Sequence, residues 1–141
     1  MATTTATVSI TSNDLTPGSP LSISASSTLM KTNLTTGLEL MEMGVHEIAT
    51  GTEFSLAEAL GTANGANFLY ICNTSTDDTF YMEVGYHDTR FGLLGAGEWL
   101  WMPWNNAVAD DQEIEVEAIG GTNTFEYAIF KSAWTLATAC A

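Results

Sequence analysis

Apolar and polar residues alternate with a period of two along most of this chain. The cleanest run is DDQEIEVEAIG (110–120), with Ile114, Val116 and Ala118 on one side and Glu113, Glu115 and Glu117 on the other. Successive side chains of a strand point to opposite faces, so this pattern predicts a half-buried strand. GGTN (120–123) predicts a turn, and TFEYAIFK (124–131) returns with Phe125, Tyr127 and Ile129 on one face. The two runs read as a hairpin. FLYICN (68–73) sets Phe68, Tyr70 and Cys72 against Leu69 and Ile71. A strand apolar on both faces is buried on both sides or lies at an interface. NTSTDD (73–78) is a turn of residues that bond their own backbone. FYMEVG (80–85) follows, with Phe80, Met82 and Val84 sharing a face, and reads with FLYICN as a second hairpin. One helical candidate stands apart. SLAEALG (55–61) spaces Ser55 and Glu58 as a capping box, with Gly61 at its end, and a short strand through 53–57 is its rival.

The pattern changes near residue 36. Residues 1–36 hold 17 Ser or Thr and two charges, Asp14 and Lys31. Val8 and Ile10, then Leu21, Ile23 and Ala25, alternate on either side of TPGSP (16–20). This predicts an extended N-terminal arm or outer hairpin over 1–36, ahead of a domain over 37–141. Short strands with Gly- and Asn-rich turns predict an all-β fold, an antiparallel β-sandwich of jelly-roll-like or immunoglobulin-like form. Cys72 and Cys140 do not reproduce the cysteine placement of an immunoglobulin domain.

Composition narrows the possible partners. Of 141 residues, 45% are hydrophobic, enough for one domain with a core. Seventeen acidic residues face Lys31, Arg90 and Lys131, for a net charge of −14. Such a surface repels phosphate backbones and anionic membranes, so neither direct nucleic-acid binding nor membrane binding is expected. MATTTATVSI has neither a basic stretch nor a long apolar run, so no secretory leader is expected. Two scattered cysteines fit a reducing compartment and do not require a disulfide. Asn33-Leu34-Thr35 and Asn73-Thr74-Ser75 match the glycosylation sequon, as chance matches in a Thr-rich chain.

Candidate chemistry is sparse. His46 and His87 lack metal-ligand spacing and read as surface or loop histidines. The carboxylates of Asp110, Asp111, Glu113, Glu115 and Glu117 would splay along a strand and read as a solvated face. GLLGAGE (92–98) is followed by a strand-like run rather than a helix, so it does not read as a dinucleotide site, and its GAGE (95–98) reads as a tight turn. No catalytic, cofactor or metal site is expected. The tryptophans carry the remaining interest. In GEWLWMPW (97–104), Trp99 and Trp101 share one face, Leu100 and Met102 take the other, and Pro103 ends the strand. Trp104 starts a loop, where it is free to touch something outside. Trp99 and Trp101 pack on a partner sheet, meet another subunit, or form a sugar-stacking platform.

The succession FLYICNTST, GAGEWLWMP and a closing FEYAIF resembles small virion structural proteins of tailed bacteriophages, marine and cyanobacterial ones in particular. The resemblance covers most of the chain through short structural motifs. It implies a non-enzymatic virion component, foremost a decoration or cement protein on the capsid surface, assembled in the host cytoplasm. Tail, neck or fibre are the other virion locations. It implies as partners the major capsid protein or other virion proteins, and a homo-oligomer, trimer or dimer. Under that reading the arm contacts the shell through Val8, Ile10, Leu21 and Ile23, and Trp99, Trp101 and Trp104 are interface aromatics. A carbohydrate-binding module using the same tryptophans is the reading from a different class.

Overall fold

The computed structural model describes residues 4–12, 21–29, 39–56, 68–86, 89–104 and 114–131. The chain divides into two compact units. One, Glu39–Lys131, contains eight of the ten strands among the described residues. The other comprises Met1–Leu38 and Ser132–Ala141. Its described part is an antiparallel ribbon of β1 (Thr4–Ser12) and β2 (Leu21–Leu29). The TPGSP turn and Cys140 lie outside the described residues.

The larger unit holds β3 (Glu39–Ile48), β4 (Glu53–Ser55), β5 (Phe68–Asn73), β6 (Tyr81–Tyr86), β7 (Thr89–Leu94), β8 (Trp99–Pro103), β9 (Ile114–Ile119) and β10 (Asn123–Lys131). They form two antiparallel four-stranded sheets, ordered β3-β10-β5-β8 and β4-β9-β6-β7. The first strand of the unit pairs with the last, the second with the seventh, the third with the sixth, and the fourth with the fifth. That nesting is the eight-stranded jelly roll rather than the immunoglobulin arrangement. The inner faces meet in one core. Leu69, Ile71, Phe125 and Ile129 come from one sheet, and Met82, Val84, Ile114, Val116 and Ala118 from the other. The alternation of β9 and β10 lands as expected, with Ile114, Val116, Ala118, Phe125 and Ile129 fully buried.

Both expected hairpins are instead arches. β5 and β6 lie in different sheets, as do β9 and β10; among the described strands of this unit, β6 and β7 are the consecutive pair that join as neighbours within one sheet. The reason is physical. Two consecutive strands with one apolar face each satisfy the same pattern whether they pair side by side or face each other across the core. The corners show how the chain crosses. Asp77 Oδ1 accepts from the Thr79 amide (2.9 Å) and hydroxyl (2.6 Å), and those bonds hold its carboxyl below the ordinary range. Gly120 has φ +88°, a conformation open to glycine, and a Cβ on Gly121 would run into the Phe80 ring. Phe80 therefore closes the β9–β10 corner.

Glu53–Ser55, inside the span of the rival strand, form the strand β4, and Leu56, the next residue, is fully buried. Ala57–Gly61 and the capping Glu58 lie outside the described residues. His46 is half-buried rather than a surface or loop histidine. Its ring lies 4.1 Å from Phe54 and 6.0 Å from Phe125, between the two sheets, because it is paired with Phe125 on the inner face of its sheet. His87 lies outside the described residues.

Candidate functional site

The outer face of the β3-β10-β5-β8 sheet is where the tryptophans lead. Asn73, fully buried at the end of β5, fixes the strand that bears them. Its side-chain amide donates to Leu94 O (3.0 Å) and its amide N to Glu98 O (2.9 Å), while its own carbonyl accepts from Gly97 N (2.8 Å). Gly97 has φ +77°, and Gly95 N donates to the Glu98 carboxylate at 2.8 Å. GAGE (95–98) is thus the tight turn expected, following directly on β7, and Asn73 anchors it. The same bonds leave the Asn73 sequon inside the fold; Asn33 lies outside the described residues.

Registered pairing then sets three rows across four strands. One row is Leu40, Phe130, Phe68 and Pro103; the next Met43, Ala128, Tyr70 and Trp101; the third Val45, Glu126, Cys72 and Trp99. Trp101 stacks on Phe68 (5.5 Å, 14°) and leans on Phe130 (5.5 Å, 56°). Met43 is 64% exposed, Val45 68% and Trp99 52%. The rows hold one charged residue, Glu126, and the Tyr70 hydroxyl donates to its Oε1 at 2.8 Å. Partial burial, that bond and the neighbouring Cys72 thiol push the Tyr70 hydroxyl well above its ordinary pKa. Cys72 is a free thiol. Antiparallel sandwiches usually leave their outer faces polar. This face is a continuous apolar patch, the kind of surface that marks an interaction site.

Trp99 and Trp101 thus face away from the partner sheet. Trp104 does the opposite. It is 2% exposed and belongs to the core, which corrects its expected place as an outward-facing loop or interface aromatic. The alternation of β8 continues past Pro103, so Trp104 keeps the inward phase of Leu100 and Met102.

The outer face of β4-β9-β6-β7 differs. Glu53, Glu117 and Glu83 lie directly opposite one another across three strands. Like charges so placed repel, and Arg90 of β7 meets them. Its guanidinium pairs with Glu53 and lies 3.1 Å from Glu117, 3.5 Å from Glu115 and 3.7 Å from Glu83. Glu115 and Glu117 are therefore not a solvated face but part of an Arg-centred cluster. Although burial opposes its charge, the hydrogen bonds that Arg90 donates to Glu117 and Glu53 leave its pKa raised. Gly85 makes the approach possible, since a Cβ there would strike Thr89 O and sit 2.8 Å from Arg90 Cα.

The ribbon has its own two-sidedness. Val8 pairs with Ala25 and Ile10 with Ile23, so these four share one face. Val8, Ile10 and Ile23 are exposed there. The opposite face pairs Thr7 with Ser26, Ser9 with Ser24 and Thr11 with Ser22. Leu21 is registered with Ser12 at the end of the ladder.

Fold and faces define an acidic antiparallel jelly-roll sandwich with one apolar outer face. Compared with known proteins, the chain matches no family model, no curated protein and no solved structure.

Proposed function

We propose that this chain is a non-enzymatic structural protein of a bacteriophage virion, a decoration or cement protein on the outer surface of the capsid. The observation that supports this reading is the ribbon: Val8, Ile10 and Ile23 stand exposed together on one face, backed by a face of hydroxyls. A two-stranded ribbon with an uncharged apolar side suits docking on a subunit surface or adding to an exposed strand edge. Its lack of described charge also lets an anionic protein approach another protein without repulsion. Repeated over many copies, modest contacts of this kind reinforce a shell. The resemblance of FLYICNTST and GAGEWLWMP to phage virion proteins supplies the setting.

The test is occupancy on particles. The triple substitution Val8→Ser, Ile10→Ser and Ile23→Ser should strip the chain from reconstituted capsids while leaving the sandwich folded. Unchanged occupancy would sink the reading, and copy numbers in sixes or twelves would move the protein to neck or tail. The half-exposed Trp99 favours a second reading, stacking on a sugar ring. A tryptophan fluorescence shift with an oligosaccharide, lost in Trp99→Ala, would support it.

A further inference from the structure

We infer that two copies of this chain pack together through the outer face of the β3-β10-β5-β8 sheet, about a two-fold axis lying in the interface parallel to the strands. The inference does not rest on the virion reading, which the ribbon supports; solution mass and particle occupancy fail separately.

Charge selects a second copy as the occupant. Each chain carries a net charge of −14, so two copies repel wherever carboxylates meet. The three rows of this face hold Glu126 as their one charged residue, already paired with the Tyr70 hydroxyl. The rows otherwise carry no charge, and with exposed Glu47 lying beyond them, two residues past Val45 along β3, they are the area on which two such anions can close. The opposite outer face, with Glu53, Glu83, Glu115 and Glu117 around one arginine, cannot do the same.

Shape selects the axis. The β3 side is aliphatic and the β8 side aromatic, with β10 and β5 between them. A two-fold parallel to the strands keeps each row level and lays one copy's β3 over the other's β8. Met43 then meets Trp101, Val45 meets Trp99, and small Ala128 faces large Tyr70. Sulfur-on-ring and large-on-small contacts suit two sheets stacked about 10 Å apart. A two-fold across the strands would set tryptophan on tryptophan and leave the β3 edges apart. The patch is roughly 20 Å on a side. That is the footprint of a small interface, so the pair is expected to form reversibly in the micromolar range.

Sedimentation of the full chain tests this. The mass should rise from 15.1 kDa toward twice that value with concentration. Met43→Glu and Val45→Glu, both at exposed positions of an edge strand, should each raise the dissociation constant at least about tenfold with the melting of the monomer preserved. A wild-type chain that stays monomeric at about 200 µM, well above the expected range, overturns the inference; so does a mass that neither substitution changes. The axis is tested separately by Val45→Cys with Trp99→Cys, in a Cys72→Ser, Cys140→Ser background. Within one copy these positions are three strands apart, roughly 14 Å, too far for a disulfide. Oxidation should therefore give a cross-linked pair. A Val45→Cys variant that cross-links to itself while the double variant gives no additional product overturns the proposed axis.

Discussion

The two outer faces of the sandwich are built on the same plan and carry opposite chemistry. Each is four antiparallel strands whose inner residues share one core. One bears Glu53, Glu83, Glu115 and Glu117 clustered on Arg90; the other bears stacked aromatics and exposed aliphatics around Glu126, with exposed Glu47 at its margin. The charges of the first face are satisfied at home, since its cation and anions meet within the chain, and exposed Leu93 stands at its β7 edge. The apolar face is not so satisfied, since Met43, Val45 and Trp99 keep much of their surface in water. A change on the first face should therefore be felt in the stability of the isolated chain, and a change at the rim of the second chiefly in association.

Arg90→Ala is the largest expected effect on stability. It leaves partly buried carboxylates facing one another, at a cost of roughly 2–3 kcal/mol in urea unfolding at low salt. About 1 M NaCl should return part of that loss by screening. No loss would mean the charged face is as tolerant as a solvated one. Trp101→Ala comes next. It removes the stack on Phe68 and the contact with Phe130, costing about 1–2 kcal/mol of monomer stability, read by thermal melting.

Tyr70→Phe removes the hydroxyl that donates to Glu126 and should cost about 1 kcal/mol near neutral pH. Its pH dependence has a definite sign. The hydroxyl titrates higher in the folded chain than the value of about 10 expected unfolded. Its contribution is full below about pH 10 and is lost as pH rises through the folded value. The gap between wild type and Tyr70→Phe should narrow in alkaline urea titrations, and a gap that widens would contradict the pairing. Smallest of all, Val45→Thr should change monomer stability by less than about 0.5 kcal/mol, measured by the same unfolding curves. A larger loss would show Val45 to be packed within its own chain.

How much of this could be read in advance depended on parity. β9 and β10 kept a strict period of two, and their buried residues were legible one by one. Trp104 was also within reach, because it continues the even-numbered inward series of Leu100 and Met102 past the proline. Irregularities in register hid other parts. The pairing of β10 with β3 shifts between Ile129 and Phe130, so Leu40 joins Met43 and Val45 on the outer face despite its different parity. A second shift in the β6–β7 pairing, after Val84, brings Arg90 opposite Gly85. Neither shift has a signature in the chain itself. The arches were hidden for a different reason, since alternation records which residues face the core but not which sheet carries them. The two apolar sides of FLYICN did announce an interface or double burial, and the outer rows give that pattern its physical cause.

The pairing of the first and last strands of the sandwich has a separate consequence. Lys131, the last residue of β10, is registered with Glu39, the first of β3. The polypeptide therefore enters and leaves the sandwich side by side, like the two ends of a closed clasp. A domain with adjoining ends can be spliced into a surface loop of another protein, or have its ends joined and a new opening cut elsewhere, with little disturbance of its interior. The jelly roll of this chain is in that sense a portable module, and whatever is fused to either end is delivered to the same corner.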